Sequence, residues 1–476
     1  MSTSTGDPSA TPGPTQDAGA KIDQNVDSGV DAGVDSGIDR AGARRVLTLS
    51  TIGFTLMFAV WLMFGILGKP ISAEFGLSEV QLSWIIAAAV LNGSLWRLPA
   101  GMITDRIGGR KVMTFLLLAS AVPAYLVSRA DSYAMLLVLA FFVGFAGNSF
   151  TAGIAWNSAW QPREHQGFAL GLFGAGNVGA SVTKFVGPPV IAGTTIGATY
   201  LGIFPGGWRF VPVLYAVLLV LMAAATWFLT PGKDRAPGRA QPLGRQLAPL
   251  KQLRVWRFSL YYVAFFGAYV ALAAWLPTYY MDNFNVSLQT AALLTASYIF
   301  PASLLRPLGG WLSDRWGARR VMYFSLGTML AASAVLMMPN GHLVIDHADG
   351  RQTEHLGYAL ALTPFALMVF VLGCAMGVGK AAVYKHIPEY FPDNVGAVGG
   401  LVGMLGGLGG FFLPPLFAYT KAWSGFPSST FFVLFALAAV CLLWMHWTVV
   451  HMLHTGSPEL ARHIERPTTA PEEALA

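Results

Sequence analysis

Residues 97–111 read Arg97-Leu-Pro-Ala-Gly-Met-Ile-Thr-Asp-Arg-Ile-Gly-Gly-Arg-Lys111, and the pattern returns at residues 306–320 as Arg306-Pro-Leu-Gly-Gly-Trp-Leu-Ser-Asp-Arg-Trp-Gly-Ala-Arg-Arg320. Seven positions of the pattern carry matching residues, and each pair is separated by 209 positions (306 − 97 = 209). Chance agreement at so many spaced positions is negligible. The chain is therefore a tandem duplication, an arrangement common in polytopic membrane proteins.

The composition is that of a membrane protein. Of 476 residues, 54% are hydrophobic and only 11% are charged, whereas a soluble protein carries roughly 25% charged residues. Runs of about 20 apolar residues recur, each long enough to cross a bilayer as a helix. We predict an all-α membrane protein with twelve transmembrane helices in two pseudo-symmetric six-helix bundles. The spans are predicted near 46–68, 79–103, 111–128, 133–159, 167–193, 210–230, 258–281, 288–312, 321–338, 358–388, 395–420 and 428–451.

The polar segments divide the chain into five parts. The first part is rich in Ser, Gly, Asp and Pro and cannot bury enough apolar area to fold, and no signal peptide is expected in it. Basic residues cluster in the central linker and in the two repeated loops, which predicts that both termini lie in the cytoplasm. The expected location of the chain is the cell inner membrane. The predicted parts are a disordered tail at 1–45, an N-terminal bundle at 46–230, a basic linker at 231–257, a C-terminal bundle at 258–451 and a tail at 452–476.

Cofactor, metal and nucleic-acid sites are not expected. Cys374 and Cys441 lie in apolar runs and make neither a disulfide framework nor a zinc site. The loop 339–357 contains three histidines, and we interpret it as a solvated extracytoplasmic loop rather than a metal site. Membrane orientation explains the net charge of +6 without nucleic acid. No segment assembles a nucleophile, a base and an orienting group, so an enzyme is not expected.

The repeated loops have a mechanical interpretation. Gly101 and Gly310 would let neighbouring helices approach closely. The aspartates could pair with arginines or cap a neighbouring helix, and such a contact could hold one conformation and break in another. The candidate latch residues are Asp105, Arg106, Arg110, Asp314, Arg315 and Arg319. The pattern resembles the loop motif between the second and third helices of the major facilitator superfamily, which implies that fold but no particular substrate.

Arg97 and Arg306 lie inside the predicted second and eighth spans. A charged residue near the bilayer centre costs about 2.5–3.5 kcal/mol on insertion scales, and Asp and Glu are almost absent from the spans. Each arginine could instead bond backbone carbonyls or extend to the headgroups. Two unpaired guanidinium groups would repel by roughly 2 kcal/mol at about 8 Å and an effective dielectric near 20, and an anion between them would remove that repulsion. Guanidinium suits planar oxyanions, so nitrate, nitrite, bicarbonate and carboxylates all remain possible.

Two glycine-rich segments lie in the predicted fifth and eleventh spans. They are Gly-Ala-Gly-Asn-Val-Gly-Ala at 174–180 and Gly-Gly-Leu-Val-Gly-Met-Leu-Gly-Gly-Leu-Gly-Gly-Phe-Phe-Leu-Pro at 399–414. Small residues let membrane helices pack closely and slide, and ordinary tight packing would produce the same pattern. The paired segments resemble the nitrate motifs of the nitrate/nitrite porter family (NarK/NasA type). The resemblance covers roughly residues 46–450.

This resemblance implies roles for individual residues. Arg97 and Arg306 would clamp the anion, Tyr262 would donate a hydroxyl, and Phe150 and Phe266 would sandwich the flat ion. The remaining implied residues, which would line the moving helix contacts, are Asn177, Gly174 and Gly407. For the aromatic residues, simple core packing is the alternative.

The coupling of transport remains open between two mechanisms. Lys184 lies in Ala-Ser-Val-Thr-Lys-Phe at 180–185, which resembles the nitrate/proton symporter branch of the family. A buried lysine can exchange a proton, although Lys184 could instead bond a carbonyl or extend to the headgroups. Lys380 in the tenth span is a further intramembrane cation.

We predict a secondary active transporter that imports nitrate, and we favour proton symport. An imported anion moves against about 2.3 kcal/mol per 100 mV, so a symporter must take up at least one proton per nitrate. Against symport, the spans contain no evident buried carboxylate to carry the proton. The alternatives are a nitrate/nitrite antiporter, a non-transporting anion sensor and a carrier of another small anion. The expected partners are nitrate, nitrite, protons and lipid, and the expected state is a monomer.

Overall fold

The computed structural model describes residues 39–161, 163–235, 251–358, 360–390 and 395–451. The predicted first-half helices are all present. They are α1 (Arg40–Trp61), α2 (Phe64–Phe75), α3 (Glu79–Leu95), α4 (Arg97–Ile107), α5 (Gly109–Val127), α6 (Tyr133–Val143), α7 (Ser149–Trp160), α8 (Arg163–Gly174), α9 (Gly179–Ala192) and α10 (Phe210–Leu229). Short 3-10 turns at Gly144–Asn148, Ala175–Val178 and Gly207–Arg209 join or precede them.

The second half repeats this architecture. Its helices are α11 (Leu253–Tyr262), α12 (Ala268–Phe284), α13 (Leu288–Leu304), α14 (Arg306–Trp316), α15 (Ala318–Leu336), α16 (Leu362–Tyr390), α17 (Val395–Ser424) and α18 (Ser429–His451). A π-helical turn at Val263–Gly267 joins α11 to α12. Two antiparallel hairpins complete the fold, β1 (Thr199–Tyr200) with β2 (Phe204–Pro205), and β3 (Gly341–Asp346) with β4 (Gln352–Tyr358).

The helices of the described chain form twelve spans, several of which consist of two consecutive helices. By length and composition, nine of these spans could cross a membrane, and the pair α13–α14, bent by 42°, makes a tenth. The remaining two spans, α8–α9 and α15, lie at the predicted fifth and ninth spans. The all-α membrane fold of two six-helix halves is therefore confirmed.

The duplication is visible in the helix boundaries. Helices α13, α14 and α15 begin and end 209 positions after α3, α4 and α5 (288 − 79 = 209). Ser78 and Ser287 cap the equivalent helices, each accepting a hydrogen bond from a backbone N–H three residues on. Gly108 and Gly317 stand between the equivalent helices with φ of 91° and 87°, a conformation that side chains with a Cβ rarely adopt. We call the end of the bundle that carries these two glycines the motif end, and the end that carries β3–β4 the hairpin end.

Two helices begin earlier in the chain than the predicted spans. Helix α1 begins at Arg40 and not at the predicted residue 46, and α11 begins at Leu253, inside the predicted linker 231–257. Apolar runs underestimate both helices because their first turns contain basic residues, which can lie at the water-facing surface. The rest of the predicted tails and residues 236–250 of the linker lie outside the described residues. The predicted loop 339–357 contains the β3–β4 hairpin.

The most extensive contacts between the two halves are made by three helix pairs. Helix α17 packs along α3, α12 packs against α2, and α9 packs against α13. Among the described residues, two ion pairs also join the halves, both at the hairpin end. Lys69 of α2 pairs with Asp282 of α12, and Glu79 of α3 pairs with Lys421 of α17.

Candidate functional site

Both intramembrane arginines stand at equivalent breaks in their spans. Trp96 interrupts the second span with φ −86° and ψ 4°, and Leu305 interrupts the eighth with φ −82° and ψ 2°. A proline follows each break, at positions 99 and 307, and its missing N–H removes a helical hydrogen bond. Arg97 and Arg306 are the first residues after these breaks, so their side chains project from matching places in the two halves.

Arg97 is buried and bridges the two halves. Its side chain is 2% exposed. Nε donates to the carbonyl of Gly93 at 2.9 Å, and Nη1 donates to the carbonyl of Gly403 in the opposite half at 3.3 Å. Nη2 has no hydrogen-bond partner among the described residues. The guanidinium therefore keeps both N–H groups of Nη2 unpaired among the described residues, in a site that excludes most water.

Aromatic rings from both halves surround the Arg97 guanidinium. Its Cζ lies 5.4 Å from the ring centroid of Trp61, 5.7 Å from that of Phe150 and 5.1 Å from that of Phe266. Trp61 and Phe150 belong to the first half, whereas Phe266 belongs to the π-helical turn of the second. Ring faces attract a cation at such distances, so these three residues stabilise the charge without neutralising it.

Tyr262 and Phe266 lie on the same side of the site. Their rings stack at 5.2 Å with an interplanar angle of 12°. Tyr262 also meets Tyr384 of α16 edge to face at 5.0 Å. The Tyr384 hydroxyl donates to the carbonyl of Gly399 at 3.0 Å, which fixes α16 against the glycine-rich α17.

Arg306 faces the site from the second half. It is half-buried, and its Cζ lies 6.0 Å from the Tyr384 ring centroid. A Cβ at Gly174 in the fifth span would lie 3.8 Å from Arg306 Nη1, so the first half also reaches this guanidinium. Among the described side chains, no carboxylate forms an ion pair with Arg97 or Arg306.

Of the small and amide residues implied by the resemblance, Gly174 and Gly407 lie beside the arginines. A Cβ at Gly407 would lie 2.8 Å from Ser94 Oγ and 3.4 Å from Arg97 Nη1, so α17 approaches this closely only because position 407 has no side chain. Asn177 is 1% exposed, and neither atom of its amide has a hydrogen-bond partner among the described residues. Ser94 Oγ is likewise unpartnered there. The interior thus holds a spare hydroxyl near Arg97, at the approach of Gly407, and a spare amide at Asn177.

Lys184 does not join this cluster. It is 1% exposed on α9, and its Nζ forms no hydrogen bond with a described residue. The neighbouring Thr183 hydroxyl donates to the carbonyl of Ala59 and shares a hydrogen bond with the Tyr215 hydroxyl, which holds this part of α9 in place. Among the described residues, no hydrogen bond or ion pair therefore connects Lys184 to the residues around the two arginines.

The candidate latch residues divide between the halves. Asp314 pairs with Lys385 of α16 at 2.7 Å, a contact inside the second half and not with an arginine. Arg315 lies over Trp311 at 5.5 Å, Arg106 is exposed, and Arg319 is 5% exposed. The side chain of Asp105 lies outside the described part of the chain.

Gly310 does not provide the predicted close approach. A Cβ at Gly310 would meet nothing within 4 Å, whereas one at Gly309 would lie 2.4 Å from the carbonyl oxygen of Val378. The equivalent prediction for Gly101 agrees with the structure, because a Cβ there would lie 2.7 Å from Thr151 Cγ2. Neighbouring helical positions face different directions, and a one-residue difference in packing is not evident from the repeat.

Arg110 is held by the start of the linker. Its backbone N–H donates to Asp234 Oδ2 at 2.7 Å, its Nη1 donates to the carbonyl of Gly232 at 3.0 Å, and its Cζ lies 4.3 Å from the Trp227 ring centroid. Trp156 and Trp160 donate their indole N–H groups to Asp234 Oδ1 at 3.0 and 2.8 Å. Asp234 thus caps the N-terminus of α5 with a favourable negative charge.

Sequence reasoning missed several of these residues. Trp61, Ser94, Tyr384 and Asp234 carried no predicted role. The aromatic and serine residues occur among many similar ones in apolar spans, so composition does not single them out. Asp234 was obscured by the basic residues around it, although a lone acid directly after a span is a usable signal for a helix cap.

The site can hold a small anion. Arg97 Nη2 and Ser94 Oγ are unpartnered among the described residues, and no described carboxylate pairs with either arginine. Aromatic faces beside the Arg97 guanidinium suit a flat ion better than a bulky one. Among the described residues there is no cluster of His, Cys, Asp and Glu that could hold a metal ion.

Comparison with known proteins supports a transporter. A model of the Major Facilitator Superfamily matches residues 49–341 and 279–472. A probable nitrate/nitrite antiporter of Thermus thermophilus, NarK1, is 63% identical over 421 residues, which cover 88% of this chain and 95% of the relative. A probable nitrate transporter of Staphylococcus epidermidis, NarT, is 28% identical over 407 residues, which cover 85% of this chain and 95% of the relative. The structure of the nucleoside transporter NupG has a TM-score of 0.63 at 12% identity, covering 85% of this chain and 99% of that chain.

Proposed function

Because the chain belongs to the Major Facilitator Superfamily, we propose that it carries nitrate across a membrane and holds it between Arg97 and Arg306. Family membership makes the chain a membrane transporter and not an enzyme. It also confirms the resemblance to that superfamily and to its nitrate/nitrite porters, with which the chain shares 63% identity in one relative.

One observation carries the proposed anion site. Two guanidinium groups project from equivalent helix breaks, and no described carboxylate pairs with either. A charge inside the membrane requires compensation, and aromatic faces provide only part of it. A monovalent anion between the arginines supplies the remainder and relieves their mutual repulsion.

Nitrate is the anion that the chemistry and the relatives together favour. It is planar, it carries one charge, and its oxygens accept the parallel N–H bonds that a guanidinium offers. NarK1 is described as a probable nitrate/nitrite antiporter and NarT as a probable nitrate transporter. Nitrite shares the same features, so we expect the site to accept both ions. A carrier of carboxylates or bicarbonate is the weaker alternative because neither appears in these descriptions.

The anion would cross by alternating access of the two halves. Arg97 belongs to the first half but bonds the Gly403 carbonyl of the second, so movement of one half against the other must break or stretch this bond. Helix α17 lies so close to Arg97 at Gly407 that such a movement would change the contacts of the guanidinium. An anion held by both arginines would draw the halves together around a site near the middle of the bundle.

Proton symport is the mode that we propose for nitrate import. Inward movement of a single anion against a negative interior costs about 2.3 kcal/mol per 100 mV, and one accompanying proton removes this electrical cost. Lys184 is buried and its Nζ is unpartnered in the described structure, as expected of a group that gains and loses a proton. Exchange of nitrate for nitrite is the second candidate, favoured by the description of the 63% identical relative.

The proposed setting is the cell inner membrane, with both termini in the cytoplasm. The motif end carries Arg106, Arg110, Lys111 and their second-half counterparts, which fits the cytoplasmic face by the positive-inside rule. The hairpin end would then face outward. We expect the carrier to work as a monomer because one chain contributes both arginines.

Uptake by proteoliposomes tests the function. Purified protein would be reconstituted with an imposed inward proton gradient, with nitrite trapped inside, or with neither, and labelled nitrate entry would be measured. Symport predicts gradient-driven uptake without internal nitrite, and exchange predicts uptake only with it. Binding of nitrate without flux in any condition would indicate a sensor, and absence of both would refute nitrate as the ligand.

A further inference from the structure

Lys380 lies next to the anion site and has no role in the proposed clamp. It belongs to α16 and is 0% exposed. Its Nζ donates to the carbonyl of Ala302 at 3.0 Å and lies 3.2 Å from the ring centroid of Tyr269. The amine is thus held by one carbonyl and the Tyr269 ring face, and it also lies 5.7 Å from the ring centroid of Phe266, the residue that faces Arg97. Lys380 is a third basic residue in the same region as Arg97 and Arg306.

The carbonyl that Lys380 binds has a counterpart in the first half. The repeat maps Ala302 onto Gly93 (302 − 93 = 209), and both residues stand four positions before an intramembrane arginine. In the first half, the Gly93 carbonyl accepts the Nε–H of Arg97 at 2.9 Å. In the second half, Lys380 occupies the equivalent carbonyl. Arg306 itself forms no hydrogen bond with a described residue and lies over Tyr384.

The fourth and tenth spans pack on equivalent places. A Cβ at Gly147 would lie 2.7 Å from the Gly93 Cα, and a Cβ at Gly377 would lie 3.2 Å from the Ala302 Cα. Phe150 follows Gly147 by three residues and Lys380 follows Gly377 by three. Lys380 in the second half therefore occupies the position that corresponds to Phe150, whose ring faces Arg97 in the first half.

Tyr269 supports the ammonium and connects it to the rest of the site. Its hydroxyl shares a hydrogen bond with Ser303 Oγ at 3.0 Å and donates to the Asn177 carbonyl at 3.4 Å. The face of such a ring attracts an amine N–H or a desolvated cation. Lys380 is consequently fixed beside the helix break that carries Arg306.

We propose that Lys380 is a positioning residue for Arg306. By occupying the Ala302 carbonyl, it prevents Arg306 from folding back onto its own helix as Arg97 does. Arg97 is therefore the anchored arm of the site, and Arg306 is the arm whose donors remain available to capture the anion. This inference rests on the proposed anion clamp, because only a clamp requires the Arg306 donors to be available.

Transport kinetics test whether Lys380 affects the affinity for nitrate. Lys380→Met should raise the nitrate KM about tenfold with the maximal rate within about twofold, because Arg306 must leave the carbonyl before it binds the anion. Lys380→Arg keeps a donor for Ala302 and should restore most of the KM. In an Arg306→Lys background, Lys380→Met should add little, since residues that act through each other are non-additive. A lowered maximal rate with unchanged KM, or additive effects of the two substitutions, would overturn the proposal.

Chemical modification tests the geometry without any substrate. Phenylglyoxal attacks available guanidinium groups, and mass spectrometry would follow Arg306 and Arg97 in the intact protein. Arg306 should react in the wild type, several-fold more slowly in Lys380→Met and normally in Lys380→Arg, whereas Arg97 should stay slow in all three. An unchanged Arg306 rate in Lys380→Met refutes the role of Lys380. If labelling responds as expected but wild-type liposomes neither bind nor transport nitrate, the proposed cargo fails while the positioning of Arg306 stands.

Discussion

Lys421, near the end of α17, forms an ion pair with Glu79, the first residue of α3, and joins the two halves at the hairpin end. The pair of Lys69 and Asp282 makes a second such contact. Both pairs connect different halves and lie at the same end of the bundle. Opening of the hairpin end must break both, so they oppose access from that side and favour access from the motif end.

We first predict that these pairs set the balance between the two access states. Their side chains are 24–34% exposed, and partly exposed ion pairs are worth about 0.2–1 kcal/mol each. Glu79→Gln should shift the balance two- to fivefold toward opening of the hairpin end. The measurement is the rate at which a thiol reagent modifies Val90→Cys, since Val90 is 1% exposed and packs against the position of Gly410 across the interface.

Two further variants make this test specific. The reversed pair Glu79→Lys with Lys421→Glu should bring the modification rate back toward the original value. Asp349→Asn is a matched control, because the ion pair of Asp349 with Arg351 lies within one hairpin connection and joins no halves. Equal acceleration by the control, or no acceleration by Glu79→Gln, would show that the pairs do not govern access.

Replacement of Arg97 by Lys should abolish most transport. Arg97 donates to two carbonyls in opposite halves and keeps a third donor spare, and one ammonium on a flexible stem cannot reproduce this planar arrangement. A lost hydrogen bond to a charged group costs about 1.5–3 kcal/mol, so kcat/KM for nitrate should fall by roughly tenfold to a hundredfold, since 1.4 kcal/mol is tenfold. Arg129→Lys changes an exposed arginine outside the site and should transport normally. Wild-type flux in Arg97→Lys would argue against the clamp.

Gly407→Ala should impair transport without preventing folding. The added methyl would lie 2.8 Å from Ser94 Oγ and 3.4 Å from Arg97 Nη1, so α17 must shift by a few tenths of an ångström away from the site. We expect a several-fold loss of nitrate uptake at an unchanged thermal midpoint. Gly327→Ala is the control, because a methyl there meets nothing within 4 Å and alanine favours a helix. Equal uptake by both variants would remove Gly407 from the site.

The architecture could be predicted from the sequence because the two halves repeat one motif. The fixed offset of the motif predicts counterparts for α3, α4 and α5, and the structure repeats their boundaries at the same offset. The offset also predicts that Arg97 and Arg306 occupy matching positions. Charges inside an apolar span are few, so their positions are informative.

The asymmetry between the halves could not be predicted from the repeat. The Gly93 carbonyl bonds Arg97, whereas its counterpart bonds Lys380, and this difference depends on where α16 packs. The same limitation explains why the close approach predicted at Gly310 occurs at Gly309 instead. Tertiary packing decides which side of a helix faces a neighbouring helix. Apolar spans with little amphipathic pattern do not encode this orientation strongly.

Lys184→Gln separates the two coupling mechanisms. Lys184 is buried, and its Nζ forms no hydrogen bond with a described residue, so its loss should leave the contacts of both arginines and anion binding intact. If it carries the coupled proton, the variant should lose nitrate uptake driven by a proton gradient but keep exchange against trapped nitrite. Lys233→Gln, which changes an exposed lysine of the linker, should retain both activities. Gradient-driven uptake that survives in Lys184→Gln would exclude Lys184 as the proton carrier, and a wild type with exchange alone would assign the protein to antiport.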